Sequence, residues 1–265
     1  SSNNNKNDSD DYFTEFDLDD GYNEVTASIT LNGDNVNING KGAVFDDKKI
    51  TINSGGTYLF SGKLSDGQVY IDSDDKENVH IIFDGVDISS STGSPFYIEN
   101  AKNTAVTLLD GTKNSLSDCE NYSDSSDENA PDAVIFSRDD LSFNGGGSLD
   151  INAKYNEGIT TKNDLRIADG IFNINSVGDA VKGKDSVVIR KAEITIASEK
   201  DGIVSSEDSE DGKGFIVFES GTFNITAAND AVQSEGDMTV EDGKFSIKTA
   251  DGAAQTDLKA LDSDT

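Results

Sequence analysis

The chain has 265 residues, a hydrophobic share of 34% and a formal net charge of −30 from 51 acidic and 21 basic residues. A field of that sign argues against nucleic acid and anionic lipid as partners, and so thin an apolar share suits a repeat fold with a narrow core better than one large core. Cys119 is the one cysteine, which excludes an intrachain disulfide, and the one histidine, His80, cannot build a His-based metal site by itself.

Residues 1–11 are a Ser/Asn/Asp tract that reads as a disordered tether. Such tracts follow a removed signal or a lipid anchor, so the expected location is secreted or attached to the cell surface. No apolar run is long enough for a transmembrane span. Residues 12–28 are acidic, with Tyr12, Phe13, Phe16 and Tyr22 interspersed, and are expected to cap the open end of the repeats that begin at Ile29. From there apolar residues alternate in short runs: Ile29-Leu31, Val36-Ile38, Ile50-Ile52, Tyr58-Phe60, Val69-Ile71, Val79-Ile81-Phe83, Val86-Ile88, Phe96-Ile98, Val106-Leu108 and Leu116. Period two in runs this short means strands with two or three inward side chains each. His80 falls between two inward positions and is expected to point outward. Gly, Asn and Asp clusters such as Asn53–Gly56 separate the runs. Residues 112–131 read as a polar insertion.

From Leu141 to Gly252 one pattern is written five times. Two apolar residues one apart are followed by a small-residue turn, two more apolar residues one apart, and an acidic residue followed by Gly or Ala. The first inward pairs are Leu141/Phe143, Leu165/Ile167, Val187/Ile189, Phe215/Val217 and Met238/Val240. The second are Leu149/Ile151, Phe172/Ile174, Ile194/Ile196, Phe223/Ile225 and Phe245/Ile247, and the third positions are Ile159, Val181, Ile203, Val232 and Ala253. The acidic residues are Glu157, Asp179, Asp201, Asp230 and Asp251, at steps of 22, 22, 29 and 21, the long step carrying an insertion at 207–213. Asp132-Ala133-Val134 matches Asp179-Ala180-Val181, so the acidic ladder is expected to begin at Asp132. Three short strands per repeat predict an all-β fold, a parallel β-helix of roughly 8–9 coils of about 22 residues. Right-handed winding is expected because parallel crossovers are nearly always right-handed. A leucine-rich repeat needs one strand and a helical return with Leu at fixed spacings, and that pattern is absent. The solenoid is expected to span residues 29–253 as a single domain, with a tail at 254–265.

Equivalent residues of successive coils would sit one strand spacing apart, about 4.8 Å. Calcium lies about 2.4 Å from its oxygen ligands, so an ion midway between two stacked carboxylates would touch both, with turn carbonyls and water completing the shell. The same acids could instead accept hydrogen bonds from turn amides. Calcium is the expectation, with Asp132, Glu157, Asp179, Asp201, Asp230 and Asp251 as ligands and with Asp164, Asp185, Glu207, Glu235 and Asp237 near enough in sequence to complete the shells.

The copies Asp179-Ala180-Val181-Lys182-Gly183, Asp201-Gly202-Ile203-Val204-Ser205 and Asp230-Ala231-Val232-Gln233-Ser234, with Gly-x-Phe-x-Ile between them at Gly170, Gly221 and Gly243, resemble a known pattern. It is that of the secreted bacterial carbohydrate-binding-domain proteins, which are polysaccharide-lyase-like parallel β-helices. The resemblance runs from about Ile29 to Gly252. It implies a calcium-decorated right-handed β-helix that binds plant cell-wall polysaccharide, both cellulose and acidic sugars such as polygalacturonate. The family Asp falls on Asp132, Asp179, Asp201, Asp230 and Asp251, while one coil departs from the pattern with Glu157.

A polyuronate lyase needs a cation and an adjacent Arg or Lys base. Arg138, Arg166 and Arg190 do not share one coil position, and Lys162, Lys182 and Lys184 lie near the ladder. No distinct acid and base pair stands out, so binding is the favoured reading, with a lyase or a structural adhesion solenoid as the alternatives. An acidic polysaccharide would need bridging calcium. A neutral one would be held by hydrogen bonds and, with no Trp in the chain, by Tyr rings, for which Tyr97, Tyr122 and Tyr155 are the candidates. The chain is expected to be a monomer.

Overall fold

The structure is a computed structural model that describes residues 12–74, 76–123 and 129–249, together with the backbone of the strand Leu261–Ser263. Among these residues the strands form two sheets, one of sixteen strands and one of ten, with parallel neighbours throughout except for two hairpin pairings near the start. Chain neighbours are not sheet neighbours. From Thr104 onward each strand lies beside the strand three places later, so every pass of the chain adds one strand to each of three rows. The result is an all-β, solenoid-like stack of parallel strands.

The second row stacks as its alternation dictates: Leu116, Ile151, Ile174, Ile196, Ile225 and Ile247 are in register. In the first row Leu141, Leu165, Val187, Ile216 and Met238 align. This corrects the expected Phe215/Val217 pair, because Ile216 and Phe218 face inward. All four residues of Phe215–Phe218 are apolar, so period two cannot set their register after the insertion. In the third row Ile135, Ile159, Val181, Ile203 and Val232 align. Val232 pairs with Leu261, whereas Ala253, expected at that position, lies outside the described residues. The first part of the expected polar insertion, Lys113–Ser117, is a second-row strand with Leu116 fully buried.

Inward side chains from all three rows merge into one long apolar core. Aromatic rings interlock along it: Phe83 meets Phe60 and Phe96 edge-on at 6.3 and 5.7 Å, and Phe223 stacks on Phe245 at 4.7 Å. At the N-terminal end, Ala27–Gly33 pairs in parallel with Gly56–Leu64 and antiparallel with Asn35–Gly40, folding a hairpin onto the stack.

The segment expected as an end cap does something else in its first part. Tyr12–Leu18 lies as a strap across the outer face of the first row. Its one helical turn, Glu15–Leu18, is closed by a capping box between Thr14 and Asp17. Phe13 packs against Ala168, Val188 and Val217, which is why Val217 is buried although it faces outward. Arg166 Nε donates to the Tyr12 carbonyl at 2.8 Å, and Asn144 Nδ2 donates to the Asp17 and Asp19 carbonyls, each at 3.0 Å. His80 does point out of the stack, but it is buried there, with Phe16 against its ring and Thr107 Oγ1 2.7 Å from Nε2.

Candidate functional site

The acidic residues stand just before the third-row strands, where the chain turns inward. The residue after each is small for a steric reason. A Cβ on Gly158 would lie 2.4 Å from the Ala180 carbonyl oxygen, and one on Gly202 would lie 2.3 Å from that of Ala231. Ala180 and Ala231, the alternates, are fully buried. Small residues let successive turns close on one another, and this brings the acids into a column.

Glu157 and Asp179 are buried in the column, and Asp201 and Asp230 are half-buried. Asp179 Oδ1 accepts from the Asp201 amide at 3.3 Å, and Asp201 Oδ1 accepts from the Asp230 amide at 2.8 Å. Each of these two aspartates therefore gives one oxygen to the turn of the next coil, as a turn Asp does. Burial first, and then the flanking Asp179 and Asp230 charges, push the Asp201 carboxyl above the usual carboxylate range. Burial does the same to Glu157, reinforced by Asp132 and Asp179. The column is thus a line of mutually repelling carboxylates.

One internal cation relieves part of it. Lys182 Nζ lies 3.1 Å from Glu157 Oε1 and 3.4 Å from Asp179 Oδ2. Burial works against that ammonium, but the two carboxylates outweigh it and hold its pKa above the ordinary lysine value. The next two coils place Val204 and Gln233 at the position of Lys182, so that position offers the column no second lysine beside Asp201 and Asp230.

Asp132 is not in step with the column. Ala133 pairs with Glu157 and Ile135 with Ile159, so Asp132 stands one residue early, because Ala133–Phe136 is apolar on both faces and hides its register. Its Oδ2 accepts from Asn156 Nδ2 at 3.0 Å, while its buried Oδ1 has no hydrogen-bond partner among the described residues. Asp251 lies outside the described residues. Of the five acids expected to complete the shells, three are engaged by cations: Asp164 by Arg166, Asp185 by Lys213 and Glu207 by Lys184. Among the described residues no three Asp, Glu, His or Cys side chains converge tightly enough to enclose a metal ion. What the column offers is an all-oxygen donor set, carboxylates of successive coils with turn carbonyls beside them.

Of the three tyrosines, Tyr122 and Tyr155 stack on each other at 4.1 Å, with Tyr122 buried and its hydroxyl within reach of Asp118 Oδ2 (2.8 Å) and the Ala133 carbonyl (3.1 Å). Tyr97 lies on the outer face of the third row, lining one groove with Tyr122, and is in register with Tyr70 on one side and Phe136 on the other. The ring centroids are 5.3 and 5.7 Å apart. Tyr70 was within reach of sequence reasoning, since Val69-Tyr70-Ile71 alternates as Phe96-Tyr97-Ile98 does.

A solenoid-like, all-β stack with an acidic column and an outward aromatic row defines a class. The chain belongs to the carbohydrate-binding domain-containing protein family, whose profile matches residues 46–265. A relative of that description from Acetivibrio thermocellus is 36% identical over 155 residues, 58% of this chain and 54% of the relative. The chain thus spans about half the length of that curated relative. The solved structure of a polysaccharide lyase-like protein from C. thermocellum, a gadolinium derivative, superposes with a TM-score of 0.78 at 32% identity, covering 90% of this chain and 100% of that one. No described helix is long and apolar enough to cross a membrane.

Proposed function

We propose that this protein is a right-handed parallel β-helix of roughly 8–9 coils that binds plant cell-wall polysaccharide outside the cell, with calcium supporting the binding. Both cellulose and acidic chains such as polygalacturonate are within this reading. The observation that carries it is the acidic column itself, in which Glu157, Asp179, Asp201 and Asp230 follow one another coil on coil and the Asp201 carboxyl is raised by burial and by its Asp179 and Asp230 neighbours. A hard divalent ion with oxygen ligands is a simple counter-charge for carboxylates stacked in this way. Asp201 and Asp230 would hold it, with turn carbonyls and water. Bound calcium would offset their repulsion and could bridge to a uronate carboxylate. Family membership supports the carbohydrate, and a neighbour prepared as a gadolinium derivative is in keeping with a hard-cation site.

A lyase is disfavoured by where the cations go. Arg138 pairs with Glu99, Arg166 with Asp140 and Asp164, and Arg190 with Glu219. Lys182 is held between two carboxylates, Lys184 is paired with Glu207, and Lys162 lies over the Phe136 ring. A base drawn from either arginine or lysine would first have to leave these partners.

The test is co-sedimentation with microcrystalline cellulose and with insoluble polygalacturonate, in calcium and in EDTA. Retention in calcium, reduced by EDTA on polygalacturonate, is the expected result. Failure to bind either polymer in calcium overturns the proposal and turns attention to a protein partner. Unsaturated uronide absorbance from pectate would revive the lyase.

A further inference from the structure

A groove of about 960 Å³ opens on the outer face of the ten-stranded sheet, in the coils that precede the acidic column. That volume falls within the range of ligand clefts. Tyr70 and Tyr97 lie in the groove, adjacent in register and 5.3 Å apart. Thr51 takes the next place on one side. On the other side Phe136 ends the aromatic part of the row, fully buried beneath the Arg138 and Lys162 side chains, and Thr160 follows it in the next coil.

One wall of the groove is built in advance. It is the tight turn between Ala43–Asp46 and Lys49–Ile52, where Asp47 and Lys48 both have positive φ, 43° and 65°. Two consecutive non-glycine residues in that region are strained and persist only where surrounding contacts hold them. Here Lys48 is tied to Asp66 at 2.7 Å, and Asp66 in turn accepts from the Ser91 amide and hydroxyl at 2.8 and 2.9 Å. On the floor, Gln68 Nε2 is fixed to the Ser94 carbonyl at 2.7 Å. The groove therefore exists without a ligand to form it.

Its charge selects the ligand. Asp46, Asp47 and Asp66 line it against Lys48 and Lys49. Three acids thus outnumber two lysines, one of them engaged by Asp66, and the whole chain adds a negative field. An anionic sugar is not drawn to such a place. Carboxylates, a fixed amide and tyrosine hydroxyls are hydrogen-bonding partners for sugar hydroxyls, and aromatic rings offer an apolar surface to the C–H faces of a pyranose. Exposed Lys49 lies 4.8 Å over the Tyr70 ring, on a flexible stem that can swing aside.

We propose that this groove is the binding subsite for a neutral pyranose chain, laid across Tyr70 and Tyr97. The inference rests on the polysaccharide-binding function above and assigns it a place and a ligand class distinct from the acidic column.

The test titrates the full chain with cellohexaose and, separately, with hexagalacturonate, by calorimetry and by intrinsic tyrosine fluorescence. Cellohexaose should bind the wild type in EDTA as in calcium. Tyr70→Ala and Tyr97→Ala should each weaken it at least about tenfold, the loss typical of a central aromatic anchor. Val177→Ser, at an exposed position elsewhere, should bind as wild type. Where an alanine variant does not fold, Tyr70→Leu and Tyr97→Leu keep apolar bulk without the ring and carry the same expectation. If the wild type retains insoluble polymer but these variants bind cellohexaose normally, the groove is overturned and the polysaccharide function survives. Tighter hexagalacturonate binding that is lost in Tyr97→Ala overturns the ligand class. A wild type that binds no polymer and no oligosaccharide overturns both proposals.

Discussion

Lys182 reaches back one coil and places its ammonium 3.1 Å from Glu157 Oε1, a carboxylate 6% exposed. Removing one partner of such a pair leaves the other charge buried and uncompensated, which is worth about 3 kcal/mol. Lys182→Met should therefore lower the melting temperature by roughly 6–12 °C in a chain of this size. The double variant Lys182→Met/Glu157→Gln should recover most of the loss, since no charge is then stranded. Calorimetry on the four proteins of this cycle checks it. Equal losses in the single and double variants would show that Lys182 acts through packing alone.

Gly202 and Ala231 follow the acids in neighbouring coils, yet they should respond very unequally to a swap. A Cβ at position 202 would come within 2.3 Å of a backbone oxygen and 2.8 Å of Ile225 Cγ2. Backbone must move to admit it, so Gly202→Ala should destabilise by about 3 kcal/mol or more. Ala231→Gly removes only a methyl and should be worth about 1 kcal/mol. Urea denaturation of both variants decides the order.

The inward rows were legible in the sequence because alternating apolar and polar residues admit one register. Legibility failed where both faces are apolar, at Ala133–Phe136 and Phe215–Phe218, and each time the reading slipped by one residue. The reason is physical: one face of each run meets the core, and the other meets Tyr97 or the Tyr12–Leu18 strap. The column was legible from its period, because a fixed repeat in a parallel stack places equivalents one strand apart. Lys162, Lys182 and Lys184 were all legible as lying near it, but that Lys182 alone bridges two of its carboxylates was not, since a Lys at one coil of a repeating position carries no periodic signal. The strap's landing place depends on Asn144 and Arg166, more than a hundred residues away in sequence, and nothing local encodes it.

Phe13 holds that strap down. It is 6% exposed, with the Arg190 guanidinium carbon 4.6 Å from its ring centroid. The strap adds no strand to the sheets, so its release is a local opening and not global unfolding. Phe13→Ala should raise the rate of proteolytic cleavage within residues 12–28 by about tenfold or more, while the main transition shifts by less than about 2 kcal/mol. Limited proteolysis with mass spectrometry reads the first, and calorimetry the second. Unchanged cleavage would mean that the Asn144 and Arg166 contacts suffice.

Burial and neighbouring carboxylates raise Glu157 and Asp201 above the ordinary carboxylate range, and burial also raises Asp118 and Asp140. A folded state that binds protons more tightly than the unfolded chain is favoured at low pH, and that advantage is lost as pH rises from the unfolded value through the folded one. Two carboxylates oppose this: Lys48 lowers Asp66, and Lys184 holds Glu207 down to about 2. Their contribution is complete above the ordinary carboxylate value and is lost only below it. Between the ordinary carboxylate value and neutrality these raised groups set a falling slope, opposed by His80, whose imidazole burial holds below its ordinary value and whose contribution therefore grows as pH rises to the ordinary histidine value. In EDTA the melting temperature should fall by a few degrees as pH rises from about 5 to about 7.5. Asp201→Asn should flatten that fall, because it removes the charge that Asp179 and Asp230 repel. Saturating calcium should flatten it as well, by screening the same charges. A melting temperature that climbs steadily over this range in EDTA would show that the column is not the dominant electrostatic strain in the fold.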